Sequence, residues 1–329
     1  MSLGLLLILS GCQQSRYQEL TGETMGTHYT VLYELPEGMQ IGMLKDDINT
    51  RLDAYESYLS NWREESWISE FNRMGPKEQK SVPRFIVPLL MQNFYLVQQT
   101  GGALDPTVSP LVDLWGFGPD GKGPESPSEQ AISERLERCG MQYLVFDVSS
   151  RNLSKTRAGL ELNLSATAKG YAVDHIGDLL ELAGCSNYLV DIGGEVRVKG
   201  VNAKGKPWRI GITSPVANLK DAPKVAQIEM TAGAVATSGI YQNFRKSGQQ
   251  RVSHIIDPRT GHPVQHATES VSIRAPTCVW ADGLATACLV LTPAEALELV
   301  ESQDDVEALI LIRAEDGSLV QRRSSGWPE

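Results

Sequence analysis

The sequence predicts an α+β fold, in which mixed or antiparallel sheets pack against helices in a single large domain or two interleaved subdomains. Segments with the alternation typical of strands outnumber segments with helical periodicity. The two kinds do not alternate strictly along the chain, as they would in a doubly wound parallel sheet. The 329 residues, 41% of them hydrophobic, suffice for a sizeable core and show no boundary sharp enough to divide the chain.

In the N-terminal part, the elements follow from periodicity and from the residues that end helices. Residues 27–35 alternate as a strand does, and residues 40–58 carry apolar side chains at helical spacing. A second helix is predicted at 81–100 and is ended by Gly101. Residues 105–127 are rich in Pro and Gly and predict a long functional loop.

The rest of the chain is predicted to contain more strands than helices. Alternating segments bounded by turn residues predict the strands, and longer apolar periodicity predicts the helices. The predicted strands are 143–148, 159–164, 187–192, 196–201, 208–213, 224–230, 234–237, 271–274 and 306–313, and the predicted helices are 128–139, 166–183, 281–289 and 293–301.

The charge balance argues against nucleic acid as a partner. The chain has 40 acidic and 30 basic residues, and its net charge of -10 repels a polyanion such as nucleic acid or an anionic lipid surface. A ligand that carries phosphate would therefore have to be held by local groups rather than by the overall field of the protein.

The N-terminus has the pattern of a lipoprotein signal. The apolar run at 3–9 is too short to span a bilayer and ends in Leu9-Ser10-Gly11-Cys12. Small residues before a cysteine suit a signal peptidase that cleaves just ahead of it. No basic residue precedes the apolar run, which departs from the usual signal, and the alternative is a buried strand with an incidental cysteine.

This pattern predicts the organisation of the chain. Residues 1–11 are the signal peptide, Cys12 is the lipidated residue, residues 12–24 are a linker, and residues 25–329 are the folded domain. The remaining cysteines form no C-x-x-C pair and lack histidine neighbours at zinc spacing. Disulfides and free buried thiols both stay open for them. They are Cys139, Cys185, Cys278 and Cys288.

Asp282 and Thr286 are the candidate metal ligands. They lie four residues apart at the start of a predicted helix, which places a carboxylate and a hydroxyl on one face. Hard oxygen ligands of this kind suit Mg²⁺, which commonly shares a substrate phosphate. The alternative is that Asp282 caps the helix and that Thr286 is a surface residue.

Residues 163–171 form a second candidate site, where a predicted strand leads into small residues at a helix start. Free N–H groups at a helix start bind anions, and small side chains let a ligand approach the backbone. The spacing matches neither the Walker motif nor the dinucleotide-binding fingerprint, which excludes those two classes of nucleotide site. The alternative is tight packing of the strand against the helix.

His254 is the titratable residue that the sequence singles out, since it precedes the turn sequence at 257–261. A histidine there can act as a general base or contact a phosphate, whereas a lone histidine on a strand commonly has only a structural role. The other histidines have no sequence partner and are predicted to be structural. They are His28, His175, His262 and His266.

Seven short motifs occur in order along the chain, from about Met25 to about Arg313. They are Met25-Gly26-Thr27, Ser60-Asn61-Trp62, Gly102-Ala103-Leu104-Asp105-Pro106-Thr107, Ala168-Lys169-Gly170-Tyr171-Ala172, Asp191-Ile192-Gly193-Gly194-Glu195, His254-Ile255-Ile256-Asp257-Pro258 and Ala281-Asp282-Gly283-Leu284-Ala285-Thr286. Together they resemble the FAD:protein FMN transferases, the ApbE family, many of whose members are exported lipoproteins.

The resemblance implies transfer of FMN from FAD to a Thr or Ser hydroxyl of an acceptor protein, through a phosphoester bond, with AMP as the leaving group. Phosphoryl transfer needs charge on the phosphate oxygens to be neutralised, and a metal supplies much of that neutralisation. By resemblance, Mg²⁺ is held by Asp282, Thr286 and the backbone carbonyl of Ala168.

The resemblance also implies which residues contact FAD, and the reaction needs a group that takes the proton of the substrate hydroxyl. His254 is the first candidate for accepting the proton of the substrate hydroxyl or for a phosphate contact, and Asp257 is the second. The chain departs from many members at Asn163, where they have Asp. The residues expected to contact FAD are Met25, Trp62, Ala103, Leu104, Asp105, Ser165 and Ile256.

Two other functions fit the same residues. One is an FAD pyrophosphatase, which hydrolyses FAD to FMN and AMP; the other is a periplasmic flavin-binding lipoprotein. Family members serve membrane electron-transfer complexes, so the expected acceptors belong to a sodium-pumping NADH:quinone oxidoreductase or to the related RNF complex. With Cys12 lipidated, the expected location is the periplasmic face of the inner membrane, held by the lipid anchor.

Overall fold

The computed structural model describes residues 17–328, apart from 39–40, 119–120, 122, 125, 216–222, 241–243 and 248–249. The predicted signal peptide, the predicted lipidation site Cys12 and the first residues of the predicted linker lie outside the described residues. Within the described part, no helix has both the length and the apolar character needed to cross a bilayer.

The described strands are antiparallel to every neighbour with which they pair. In chain order they are β1 (Tyr17–Thr24), β2 (Thr27–Glu34), β3 (Lys80–Ser81), β4 (Leu144–Asp147), β5 (Asn152–Lys155), β6 (Tyr188–Ile192), β7 (Glu195–Lys199), β8 (Trp208–Thr213), β9 (Lys224–Met230), β10 (Ala232–Gly239), β11 (Phe244–Ser247), β12 (Gln250–Ser253), β13 (Thr268–Ala275), β14 (Glu307–Arg313) and β15 (Leu319–Arg323).

One large sheet organises the chain. It has eight strands in the order β1-β2-β6-β7-β10-β13-β14-β15, and smaller sheets are formed by β3-β5-β4, β8-β9 and β11-β12. The described helices are α1 (Ile41–Leu59), α2 (Trp67–Arg73), α3 (Val87–Gln99), α4 (Ser109–Leu114), α5 (Glu129–Leu136), α6 (Ser165–Leu182), α7 (Cys278–Val290) and α8 (Pro293–Glu301). This is the α+β class that the sequence predicts.

The large sheet is covered on both faces, which explains the alternation along its strands. In β10, Ala234 and Ala236 belong to the clusters formed with the helices, whereas Val235 packs with the β8-β9 sheet. Trp208 and Ile210 of β8 are buried in that second layer. Successive residues of a strand point to opposite faces, so each strand contributes to two apolar layers.

Helices α6 and α7 lie in close contact because Gly170 has no side chain to separate them. A Cβ at Gly170 would lie 2.4 Å from the carbonyl oxygen of Cys278. Asp174 of α6 accepts hydrogen bonds from the N–H groups of Cys278 and Val279, each at 2.9 Å. Asp174 thereby caps α7, whose own N-cap residue Thr277 makes no side-chain cap.

The linker prediction is wrong for residues 17–24, which form the edge strand β1. β1 pairs with β2 along its whole length, from Tyr17 opposite Glu34 to Thr24 opposite Thr27. Its sequence is mostly polar because an edge strand presents much of its surface to water. The folded domain therefore begins before residue 25.

The strand predicted at 159–164 is also wrong, and the strand that pairs with β4 is instead β5. Leu160, Leu162 and Leu164 are buried and imitate the alternation of a strand. The N–H of Leu162, however, donates to Asn72 Oδ1 at 2.7 Å, and its carbonyl accepts from Asn72 Nδ2 at 2.9 Å. At Leu162, the side chain of Asn72 thus takes the place of a neighbouring strand.

Smaller differences concern helix boundaries. The predicted helix at 81–100 begins only at Val87, and the predicted helix at 281–289 begins earlier, at Cys278. The predicted loop at 105–127 contains the short helix α4. Helix α2 was not predicted; Ser66 caps its start by accepting a hydrogen bond from the N–H of Ser69.

Candidate active site

Three cavities meet at the first turn of α6. The central cavity, of about 560 Å³, is lined by residues 103–105, His254 and Thr286, among others. The hairpin cavity, of about 410 Å³, is lined by the β1-β2 turn at Met25. The outer cavity, of about 710 Å³, is lined by parts of β7, β8 and β10. Ser165, the first residue of α6, borders all three.

The residues expected to contact FAD line two adjoining cavities. Met25 lines the hairpin cavity, the other expected contacts line the central cavity, and Trp62 borders both. Trp62 is 73% exposed, so its ring is open to a ligand. Asp105 Oδ1 accepts hydrogen bonds from the N–H and the hydroxyl of Thr107, at 2.8 and 2.6 Å. Burial raises the pKa of Asp105, and these bonds oppose the shift.

A two-residue turn places Met25 at the hairpin cavity. Thr24 pairs with Thr27, and the two residues between them have positive φ angles, 50° for Met25 and 75° for Gly26. Two successive left-handed residues make the turn that suits the twist of a hairpin. The glycine adopts this conformation without cost, while Met25 is held in it by the hairpin and packs against the core.

The N-terminus of α6 opens into the junction of the cavities. Its N-cap residue, Leu164, provides no side-chain cap. Asn163 Oδ1 instead accepts a hydrogen bond from the N–H of Ser165 at 3.0 Å and a short one from its hydroxyl. An amide oxygen at 163 thus makes the contacts that an aspartate oxygen could make. The positive end of the helix dipole at this terminus favours an anionic group such as a diphosphate.

The structure brings Asp282 beside the α6 segment that contains Ala168. Asp282 is buried, and its Oδ2 accepts a hydrogen bond from the N–H of Gly170 at 3.0 Å. Burial raises the pKa of Asp282, while the charge of Lys169 opposes the shift. Since α7 begins at Cys278 and is capped by another carboxylate, Asp282 is not a helix cap. Its carboxylate lies buried beside α6 and is not among the described residues that line the three cavities.

Thr286, one turn after Asp282, reaches the cavities themselves. It lines the central and outer cavities, and its Oγ1 lies 3.2 Å from Ser238 Oγ. The described residues contain no cluster of three or more His, Cys, Asp or Glu side chains that could hold a metal. A metal here would therefore depend on one carboxylate, one hydroxyl and the Ala168 carbonyl, a set of hard oxygen donors that fits Mg²⁺.

Lys169 and Glu195 form a charged pair for which the sequence predicted no role. Lys169 Nζ lies 2.7 Å from Glu195 Oε2, and the Glu195 side chain is only 2% exposed. Burial raises the pKa of Glu195, as does the charge of Asp282, whereas Lys169 lowers it. Burial alone would lower the pKa of Lys169, but the two carboxylates raise it. The sequence held one indication of this contact, since Lys169 and Glu195 each lie in one of the seven motifs.

The two candidates for the proton acceptor lie in different surroundings. His254 follows β12, lines the central and outer cavities, and its ring centre lies 6.2 Å from that of Phe117. Asp257 accepts hydrogen bonds from Arg259, at 2.9 Å from the backbone N–H and from Nε, and at 2.8 Å from Nη2. Asp257 is not among the described residues that line the three cavities. This placement favours His254.

Known proteins match the chain over nearly its whole length. A Vibrio cholerae protein named FAD:protein FMN transferase is 35% identical over 329 residues, covering 99% of this chain and 97% of its own. A Klebsiella pneumoniae protein of the same name is 36% identical over 311 residues, covering 92% and 88%. The solved structure of the flavin transferase ApbE from Vibrio cholerae has a TM-score of 0.83 at 34% identity, covering 94% of this chain and 98% of that one.

The sequence profile of the ApbE family matches residues 25–310. This range contains every residue around the three cavities to which we assign a role. Since the profile and the relatives cover most of the described fold, the chain belongs to the ApbE family.

Proposed function

We propose that the chain is a Mg²⁺-dependent transferase, which moves FMN from FAD to a Ser or Thr hydroxyl of an acceptor protein and releases AMP. The family and the names of the relatives support this function. The observation that carries it is the central cavity, where the expected FAD contacts lie together with His254 and Thr286. Of the proposed cation ligands, Thr286 lines this cavity, and the buried carboxylate of Asp282 lies one helical turn before it on α7.

The cavities suggest how FAD is oriented. Aromatic side chains suited to the two ring systems occur in both cavities that contain the expected FAD contacts, with Phe117 in the central cavity, Tyr55 in the hairpin cavity and Trp62 in both. The diphosphate between the rings then lies at the N-terminus of α6, beside Ser165. In this position the FMN phosphorus is close to the residues shared with the outer cavity.

In the proposed reaction, His254 accepts the proton of the acceptor hydroxyl. The hydroxyl oxygen forms a bond to the FMN phosphorus, the bond from that phosphorus to the oxygen of AMP breaks, and AMP leaves with the electron pair. Asp282, Thr286 and the Ala168 carbonyl would hold Mg²⁺, which would supply charge neutralisation at the phosphate oxygens. Lys169 favours the ionised form of Asp282 and is itself held by Glu195.

Mass spectrometry of an acceptor tests this function. The purified acceptor subunit of a sodium-pumping NADH:quinone oxidoreductase is incubated with the chain, FAD and Mg²⁺, and we expect one FMN per subunit and one AMP released. A subunit whose acceptor threonine is replaced by valine is the control and should stay unlabelled. FMN and AMP in solution without a labelled subunit would identify a pyrophosphatase, and retained FAD without AMP would identify a flavin carrier.

The location of the chain is a separate proposal, which depends on Cys12. Its lipobox supports attachment of acyl chains and retention at the periplasmic face of the inner membrane. There the chain would meet acceptor subunits of membrane electron-transfer complexes, either the NADH:quinone oxidoreductase or the RNF type.

Replacing Cys12 by alanine should prevent cleavage and lipidation. In cells we expect an uncleaved or mislocalised precursor, because stable attachment needs two or more acyl chains and no other cysteine lies in a lipobox. Fractionation followed by intact-mass measurement gives the result, with Cys185→Ala as the control variant. A Cys12→Ala protein that stays in the membrane fraction at its mature size would refute the anchor.

A further inference from the structure

The outer cavity shares its inner end with the central cavity. Both are lined by Ser165, Ala166, His254, Ile255 and Thr286. Apart from Ser165, however, none of the residues expected to contact FAD lines the outer cavity. FAD in the central cavity therefore leaves the outer cavity open, and whatever fills the latter borders the same histidine and threonine.

The lining of the outer cavity differs in chemistry from that of the other two. No Phe, Tyr or Trp is among the described residues that line it, which argues against a second flavin or adenine ring. Its wall instead contains several hydroxyl groups, and its glycines leave backbone groups open to a ligand. These residues are Thr27, Thr30, Thr213, Thr237, Ser238, Gly193, Gly194, Gly211 and Gly239.

Two strands present backbone edges along this cavity. β10 pairs with β7 only through 232–235, while it pairs with β13 through 234–239. Residues 236–239 therefore have no β7 partner on that side, and 237–239 line the cavity. β8 pairs only with β9 among the described strands, and its residues 211–213 line the cavity too. Free strand edges and small side chains suit an extended polypeptide, which can pair with an edge through its main chain.

We propose that the outer cavity binds, in extended conformation, the segment of the acceptor protein that carries the reacting Ser or Thr. This inference rests on the proposed transferase function and adds the route by which the second substrate enters. The acceptor hydroxyl arrives at the shared end of the cavities, where His254 takes its proton. Its oxygen bonds to the FMN phosphorus, and AMP departs from the FAD side. The two substrates thus occupy separate cavities and meet only at the shared residues.

Thr213 allows this assignment to be tested without disturbing the FAD site. It is the exposed last residue of β8, it lines the outer cavity, and it lines neither of the others. Arg209 lies on the same exposed face of β8, four residues earlier, and is not among the lining residues of the outer cavity. Thr213→Trp therefore places a large ring in the proposed cleft, and Arg209→Trp places the same ring outside it.

We expect Thr213→Trp to raise the KM for the acceptor subunit by about tenfold or more, because the ring displaces the segment from the strand edges. FAD affinity, measured by calorimetry, and the melting temperature should stay within error of the unaltered protein. Arg209→Trp should leave the KM unchanged. The acceptor is the same NADH:quinone oxidoreductase subunit, and labelling is followed by intact-mass measurement at a series of subunit concentrations.

An unchanged KM in Thr213→Trp would overturn the assignment of the outer cavity while leaving the transferase function intact. A raised KM together with lost FAD affinity would overturn it too, because the outer cavity would then belong to the FAD site. An unaltered protein that labels no subunit would instead overturn the proposed function, and the assignment that rests on it.

Discussion

Replacing Asp282 by alanine should lower the rate of FMN transfer by about 10³-fold or more, since a cation at transferred phosphate oxygens contributes several kcal/mol and each 1.4 kcal/mol is tenfold. Asp282 is the only carboxylate in the proposed set, beside Thr286 and the Ala168 carbonyl. Without it, two neutral oxygens would remain, and they bind Mg²⁺ poorly. FAD affinity should change little, because Asp282 does not line the central or hairpin cavity.

A second variant, Asp282→Asn, separates loss of charge from damage to the fold. The amide oxygen can still accept the hydrogen bond from Gly170, which keeps α6 and α7 joined at this point. We expect the same loss of transfer with a melting temperature near that of the unaltered protein. The control is Asp178→Asn, which removes a carboxylate of α6 that pairs with Arg197 at 2.8 Å on the protein surface.

The measurement is single-turnover release of AMP at saturating FAD, with and without EDTA. Chelation should reproduce the loss in the unaltered protein and in Asp178→Asn, and added Mg²⁺ should restore it. The Asp282 variants should respond to neither treatment. If Asp282→Asn retained full activity that EDTA still abolished, the cation would have to bind at other residues.

The sequence predicted an element well where periodicity and hydrogen bonding agree. The strand predicted at 208–213 and the helix predicted at 293–301 have the observed bounds. In the strand, apolar alternation coincides with backbone pairing, and in the helix, the apolar periodicity begins at the Thr292 capping box. At 159–164 the two disagree. The leucines alternate, but Asn72 satisfies the backbone, and no local pattern reveals a partner so distant in sequence.

In the candidate site, too, some features could be predicted from the sequence and others could not. The separate motifs could be recognised in the sequence, and the structure gathers the expected FAD contacts around two adjoining cavities. Three features depended on the fold: the trans cap that Asp174 provides to α7, the pairing of Lys169 with Glu195, and the outer cavity. Each joins groups on different elements, and local sequence patterns report only neighbours within one element.

Replacing His254 by alanine should lower the chemical step by about 10²- to 10⁴-fold, which is the usual contribution of general acid–base catalysis. His254 borders both the cavity with the FAD contacts and the cavity proposed for the acceptor, so its ring lies where the hydroxyl must lose its proton. FAD affinity should change little if His254 acts on the proton rather than on ground-state binding.

Two variants in the same loop serve as controls. His262→Ala removes a histidine that lies 3.4 Å from Glu129 and lines none of the three cavities among the described residues, so turnover should persist. Asp257→Asn weakens the contacts with Arg259 and should cost about 1 kcal/mol of stability, the typical net value of a hydrogen bond, with little effect on turnover.

Single-turnover AMP release, measured beside a melting curve, separates a catalytic from a structural role for His254. A catalytic histidine gives slow AMP release in a protein that melts normally, whereas a histidine that only packs against Phe117 gives near-normal release in a destabilised protein. If His254→Ala gave near-normal release and Asp257→Asn gave a large loss of turnover, the proton would pass to Asp257. Its carboxylate would then have to leave Arg259 and turn toward the cavity, which makes this pair of outcomes a sharp contradiction of the geometry described above.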